Sequence, residues 1–142
     1  MSTTTIVAAA ILIEDGRVLI TQRKAGTHLA GAWEFPGGKV LAGEDPREGL
    51  RRELSEELAI DAAVGEIVDV TFHRYEEAGQ SVLLLFFDAA RTRASAAPRA
   101  VDVAAFAWAS EAQLTTSQFP PADRSVLAKV RARLANPRPS PG

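Results

Sequence analysis

Cysteine is absent from the 142 residues. Structural disulfides and thiolate zinc sites are therefore excluded, and a reducing compartment suits the chain. A net basic charge is absent too: 16 Lys and Arg against 18 Asp and Glu give a formal charge of -2. Affinity for long nucleic acid comes largely from neutralising phosphates, so a long duplex is not an expected partner. No Lys or Arg precedes the apolar run "IVAAAILI" at residues 6–13, and no cleavage site follows it. A secretory signal is not expected on that pattern. No apolar stretch reaches the ~20 residues that a membrane-spanning helix needs. The expectation is a cytoplasmic protein that does not enter the membrane. Repeats and internal linkers are missing as well. Residues 1–135 are therefore expected to form one domain, and the Pro-rich end "NPRPSPG", residues 136–142, a disordered tail.

What is present is ordinary globular material, 46% hydrophobic and 24% charged. Residues 5–14 read as a buried strand. Asp15-Gly16 is a hairpin signal, and Val18, Leu19 and Ile20 form the returning strand. "AGTHLAGA", residues 25–32, reads as a loop. "WEFPGG" opens as a short strand that Pro36 and the glycine pair end. A helix is expected over about 46–59. Two strands follow, "DAAVGEIVDVTFHRY" and "SVLLLFFDA", with Gly79 turning between them. "VAAFAWA" is a further strand, and Ser110 suits the N-cap of a short helix. "FPPADRSVLAKVRARL" is a C-terminal helix entered through Pro121, with Val126, Leu127, Val130 and Leu134 as its apolar stripe. Strands outnumber helices. The expected fold class is α+β, a mixed β-sheet with helices on both faces.

The chemistry is carried by "DPREGLRRELSEEL", residues 45–58. Asp45 suits the cap, Pro46 the first helical position, and Glu48 a capping box. At about 100° per residue, Leu50, Leu54 and Leu58 form one stripe that must face the core. Glu53, Glu56 and Glu57 fall on the neighbouring arc with Gly49, whose missing side chain leaves room. Like charges at i, i+3 and i, i+4 repel. Acids in the last turn also oppose the helix dipole. A solvated acidic face is the simple reading of such a trio. Here the acids border the buried stripe, at the edge of a groove, and a divalent cation would reverse the energetics. Clustered oxygen ligands without His or Cys suit a hard ion, Mg²⁺ or Mn²⁺.

Gly38, Glu44 and "RELSEELAI", residues 52–60, resemble the Nudix box in spacing and residue type, except that Ala59 stands where the family has Gly. "WEFPGGK" and the strand order are similar to the MutT-like and CTP pyrophosphohydrolase-like branches. The resemblance implies a Nudix-type α/β/α sandwich that hydrolyses nucleoside diphosphates linked to another group. It further implies Glu53, Glu56 and Glu57 as metal ligands with the Gly38 carbonyl, Glu44 as a further metal- or water-positioning carboxylate, and Arg52 as the residue that orients Glu53. Mg²⁺ is the implied cofactor, with Mn²⁺ as a substitute. Such an ion neutralises pyrophosphate and acidifies water. Some relatives carry a Glu about six residues before a Trp. Asp102 holds that place here, before Trp108, and is a further catalytic candidate. A turn residue is its other reading.

On the substrate side, Arg23 precedes the loop that carries His28, and both are candidates for phosphate contact. Lys39 ends "WEFPGGK" and joins them. Glu34 and Phe35 are candidates to hydrogen-bond and stack on a base, although alternation requires part of "WEF" to be core. MutT-like relatives carry "FPPAN", whose Asn reads the base; here residues 119–123 read "FPPAD". An ionised Asp123 only accepts, which suits an exocyclic amine such as that of cytosine, whereas a buried, protonated one donates. The other role open to Asp123 is a helix N-cap. His73 and Tyr75 share one face of a strand, as core, surface or pocket residues. These readings converge on a Mg²⁺-dependent nucleoside triphosphate pyrophosphohydrolase that clears the nucleotide pool, a step in keeping DNA free of damaged bases. The expected substrates are 8-oxo-dGTP and (d)CTP or 5-methyl-dCTP, and the expected state is a monomer or homodimer. Hydrolysis of ADP-ribose, a nucleoside diphosphate sugar or a dinucleoside polyphosphate is the rival within the family. A nucleotide-binding module without catalysis is the rival outside it.

Overall fold

The computed structural model describes residues 3–76 and 79–136. The expected tail, apart from Asn136, therefore lies outside the described residues. In chain order the elements are β1 (Thr3–Glu14), β2 (Arg17–Gln22), β3 (Trp33–Glu34), β4 (Gly37–Lys39), α1 (Pro46–Leu58), β5 (Ala62–Tyr75), β6 (Gln80–Arg91), β7 (Ala105–Ala109) and α2 (Arg124–Ala135). They form one mixed seven-stranded sheet. β1 runs parallel to β6 from Thr3↔Gln80 to Leu12↔Ala89. It is antiparallel to β2 at its C-terminal end and to β4 at its middle, over Val7–Ala9. One strand thus anchors both halves of the sheet.

Alternation along β1 decides which core each residue enters. Ala8, Ala10 and Leu12 face one way, with Leu19 and Phe87, and meet the α1 stripe of Leu50, Leu54 and Leu58. Ala9 and Ile11 face the other way, with Val18, Ile20, Phe35 and Phe86, and meet Val126, Leu127 and Val130 of α2. The α1 leucines are fully buried. Each contributes roughly 1.5–3 kcal/mol of hydrophobic stabilisation. Small alanines opposite them leave space for the helix. The expected helix-covered mixed sheet is therefore the observed one.

The local signals hold with three corrections. Asp15 and Gly16 both have positive φ, 51° and 75°, as a two-residue hairpin turn requires. Asp45 caps α1, its Oδ1 accepting from Arg47 N at 2.8 Å. Glu48 does not complete a capping box. It lies within 3.4 Å of Arg51 instead, because an i, i+3 cation competes for the carboxylate. The C-terminal segment does not start as α-helix: residues 121–123 form a 3-10 turn and α2 begins at Arg124. The last predicted strand starts at Ala105, two residues later than expected, where pairing with Gln22 of β2 begins.

α1 ends at Leu58 because Ala59 turns left-handed, with φ 56° and ψ 34°. Its final carbonyls are taken up by the loop before β7. Arg99 N donates to Leu58 O at 2.9 Å, while Val101 N and Asp102 N donate to Glu57 O at 3.0 and 3.1 Å. Those bonds hold the helix end although Ala there costs roughly 1–2 kcal/mol. Replacing Ala59 with Gly removes that strain, with part of the gain lost to a more flexible unfolded chain. Ala59→Gly is expected to raise the unfolding free energy by about 1 kcal/mol. Urea denaturation checks this: the midpoint should rise with an unchanged slope.

Candidate active site

A cavity of about 610 Å³ opens beside the sheet. Its floor is Val7 and Ala9 of β1 and Val82, Leu84 and Phe86 of β6. Gly37, Gly38 and Lys39 of β4 border it, as do Glu53 and Glu57 of α1. So do Arg23, His28, Leu29, Glu34, Phe35 and the Pro120–Asp123 turn. Two glycines make the approach feasible. A Cβ on Gly37 would stand 2.0 Å from Ala8 O, so β4 can cross β1 only without one. A Cβ on Gly38 would stand 2.5 Å from the carboxyl carbon of Glu53.

The carboxylates are organised by one guanidinium. Arg52 grips Glu44 in a fork, Nε to Oε2 at 2.9 Å and Nη2 to Oε1 at 3.1 Å. Its Nη1 donates to Glu53 Oε1 at 3.0 Å and Glu56 Oε2 at 3.2 Å, and its Nη2 to Lys39 O at 3.1 Å. Hydrogen bonds from Arg52 and from Leu41 N hold the Glu44 carboxyl below its usual range, and the same network raises Arg52. Gly49 gives Glu44 its place, since a Cβ there would come within 2.7 Å of Glu44 Oε1. The space foreseen beside Gly49 is therefore filled by Glu44.

Glu57 is outside this network. Burial, and then the charge of Glu53 and a hydrogen bond with it, push its carboxyl up to about 9, with smaller contributions from Glu34 and Asp102. Two carboxylates pressed together beside a cavity, with one forced to hold a proton, form a donor set that a hard divalent cation fits. The close seat that Gly38 gives Glu53 agrees with that fit. Glu53, Glu57 and Gly38 line the cavity and could hold such an ion together with Glu56. Glu56 is more than half exposed and turned to Arg52. Among the described residues no three Asp, Glu or His side chains are already gathered as a metal cluster.

Another group of cavity residues surrounds Asp123, which is 4% exposed. Its side chain does not cap α2. Burial, and then the charge of Glu34, push its carboxyl up to about 7. Glu34 is itself raised by burial, with Arg23 opposing that at 3.2 Å. Phe35 is core, 2% exposed, with its ring 5.5 Å from Phe119 and 6.3 Å from Phe86. It still lines the cavity. Arg23 is largely committed within the protein, its Nε donating to His28 O at 2.6 Å and its Nη1 to Glu34.

Nine of the sequence candidates thus line one cavity: Arg23, His28, Glu34, Phe35, Gly38, Lys39, Glu53, Glu57 and Asp123. Glu44, Arg52 and Glu56 stand behind it in the Arg52 network. Asp102 is exposed and paired with Lys24 outside the lining. Its charge nevertheless reaches Glu57. Tyr75, for which a pocket was one of the readings, also lines the cavity, and so do Thr5 and Gln80, which no sequence signal marks. Alternation had placed Tyr75 and His73 on one face, but it does not say which face a cavity takes.

The chain matches the family model of the NUDIX domain over residues 3–130. It is 38% identical over 135 residues to the putative 8-oxo-dGTP diphosphatase 2 of Mycobacterium tuberculosis, covering 91% of this chain and 89% of that protein. It is 49% identical over 78 residues to the CTP pyrophosphohydrolase of Escherichia coli, a match that covers 55% of this chain and 56% of that protein. The crystal structure of a MutT NUDIX hydrolase from Burkholderia pseudomallei superposes with a TM-score of 0.79 at 27% identity, covering 90% of this chain and 98% of the other.

The buried Asp123 has a consequence for stability. A carboxyl raised in the folded state adds most to stability below its unfolded value, usually near 3.8, and that contribution is lost as pH climbs through about 7. Asp123→Asn removes the titration. The variant is expected to gain on the wild type by on the order of 2–3 kcal/mol between pH 5 and pH 8. Paired denaturation curves across that range check the difference.

Proposed function

The chain belongs to the Nudix family, and from that premise we propose that it is a divalent-metal-dependent nucleoside triphosphate pyrophosphohydrolase, cleaving a triphosphate to monophosphate and pyrophosphate. The observation that carries this reading is one cavity lined both by the Glu53–Glu57 pair and by a buried carboxyl, Asp123, whose hydrogen-bonding capacity the α2 cap does not use. The names of the relatives support it, since they describe 8-oxo-dGTP and CTP hydrolysis. The physiological reading is removal of unwanted nucleotides from the pool, with Mg²⁺ as the working cation. A hard divalent ion, when bound, supplies charge neutralisation for the pyrophosphate and lowers the pKa of water.

The rest is work for the chain's own groups. Arg52 keeps Glu44, Glu53 and Glu56 from springing apart, so the acids need not rearrange when a polyanion arrives. Lys39 and Arg23 bring positive charge to the cavity rim. Asp123 reads the base. With a pKa near 7, its carboxyl is both acid and acceptor at neutral pH. A protonated carboxyl offers a donor and an acceptor side by side, which matches N3 and N4 of cytosine and also O6 and protonated N7 of 8-oxoguanine. The expected substrates are therefore (d)CTP or 5-methyl-dCTP and 8-oxo-dGTP.

Product-resolved hydrolysis with Mg²⁺ tests this, on 8-oxo-dGTP, dGTP, CTP, dCTP, 5-methyl-dCTP, ADP-ribose and a dinucleoside polyphosphate. Monophosphate and pyrophosphate from one of the named triphosphates are expected. Preferential cleavage of ADP-ribose would overturn the substrate assignment. Glu57→Gln should lower turnover by on the order of a hundredfold or more with the circular dichroism spectrum retained. Asp123→Asn keeps both a donor and an acceptor and should retain turnover of the preferred triphosphate, whereas Asp123→Ala, which removes both, should lower its kcat/KM roughly tenfold.

A further inference from the structure

One wall of the cavity has no part in holding cation or base. Residues 24–31 form a loop on the surface, and two of its side chains, His28 and Leu29, line the cavity. Leu29 is held left-handed at φ 58°. An aliphatic residue keeps that conformation only where surrounding contacts impose it. Several of those contacts fasten the loop to its own stem: Arg23 Nε donates to His28 O at 2.6 Å, Gly31 N to Arg23 O at 3.1 Å, and Gln22 Nε2 to Gly31 O at 3.2 Å. Two others reach the rest of the fold. Lys24 pairs with Asp102 away from the cavity lining. The His28 ring meets the Tyr75 ring edge-on, at 5.0 Å and 88°.

Tyr75 is well placed to bear that contact. It closes β5 opposite Gln80, the first residue of β6, so its backbone is fixed by the sheet. Its ring also meets that of His73, at 4.5 Å and 68°. It is half-buried and lines the same cavity as His28. An edge-to-face pair of this kind favours the docked loop by a modest factor, not an absolute one. Glu44, Glu53 and Arg52 are held by hydrogen bonds that do not involve the loop.

We infer that Tyr75 is a positioning residue of the nucleotide site: it is the strand-borne surface on which His28 rests, and it holds the 24–31 loop over the cavity. The inference rests on the nucleotide reading above. Its consequence is a division of labour. Tyr75 governs how tightly the nucleotide is retained, while the α1 acids govern the rate of bond cleavage. The ring carries the contact, so Phe can replace Tyr and an aliphatic residue cannot.

Steady-state kinetics of the full chain with Mg²⁺ and the best triphosphate test this, beside trypsin cleavage after Lys24 as a readout that needs no turnover. Tyr75→Leu should raise KM roughly three- to tenfold and leave kcat within about twofold. Tyr75→Phe should keep the wild-type KM. His28→Ala breaks the same contact from the exposed loop, where folding is not at stake. It should raise KM alike, and the double variant no further. Cleavage after Lys24 should quicken in both Tyr75→Leu and His28→Ala. Unchanged KM and unchanged cleavage in an active enzyme would overturn the inference, as would a fall in kcat matching the rise in KM, or effects that multiply in the double variant. A wild type that hydrolyses none of the triphosphates, yet whose loop is released by both variants, would sink the functional reading and leave the loop contact standing.

Discussion

The guanidinium of Arg52 is the interaction on which the site depends. It joins the loop before α1, through Glu44 and the Lys39 carbonyl, to Glu53 and Glu56 on the helix itself. Without it, three acids would be crowded along one helix and its entrance with only solvent to separate them. A planar cation with several fixed donors suits this task, because one residue can satisfy carboxylates arriving from different directions. The two glycines beside the network complete the arrangement. Gly49 makes room for Glu44 and Gly38 makes room for Glu53, so the acids are packed by steric permission as well as drawn by charge.

Glu57 and Asp123 show what the fold gives up to keep a site. Each is a carboxyl removed from water with no Lys or Arg paired to it among the described residues, and burial is the largest cause of its raised pKa. A chain shaped for stability alone would place amides or apolar groups there. Ala59 and Leu29 add backbone strain, both non-glycine residues at positive φ. The core offsets these costs: both faces of β1 are buried, against α1 on one side and α2 on the other.

Much of this was legible in the sequence, for identifiable reasons. The hairpin at Asp15-Gly16, the Asp45 cap and the Leu50, Leu54 and Leu58 stripe depend on residues a few positions apart, and local sequence encodes local geometry well. The acids of α1 were legible because helical periodicity fixes which residues share an arc. Other features depended on distant partners. The capping role given to Glu48 failed to a competing neighbour, Arg51. The capping role weighed for Asp123 gave way to burial beside the cavity. The Lys24–Asp102 pair joins residues 78 apart, and no period in the chain announces it. Tyr75 joined the cavity lining because the sheet sets it opposite Gln80, a register that alternation alone leaves open.

The sequence by itself determined the elements, the helix-borne acids, the Gly-rich approach to them and the family to which they belong. Each of these is a short-range pattern, set by dihedral preference, periodicity or spacing. Only the tertiary structure decided that Glu57 and not Glu56 lies against Glu53, that Arg52 spends its donors on three carboxylates at once, and that His28 leans on a tyrosine from another strand. Those outcomes follow from which surfaces the parallel β1–β6 pairing brings together, and from the burial that raises or lowers each charge once they meet.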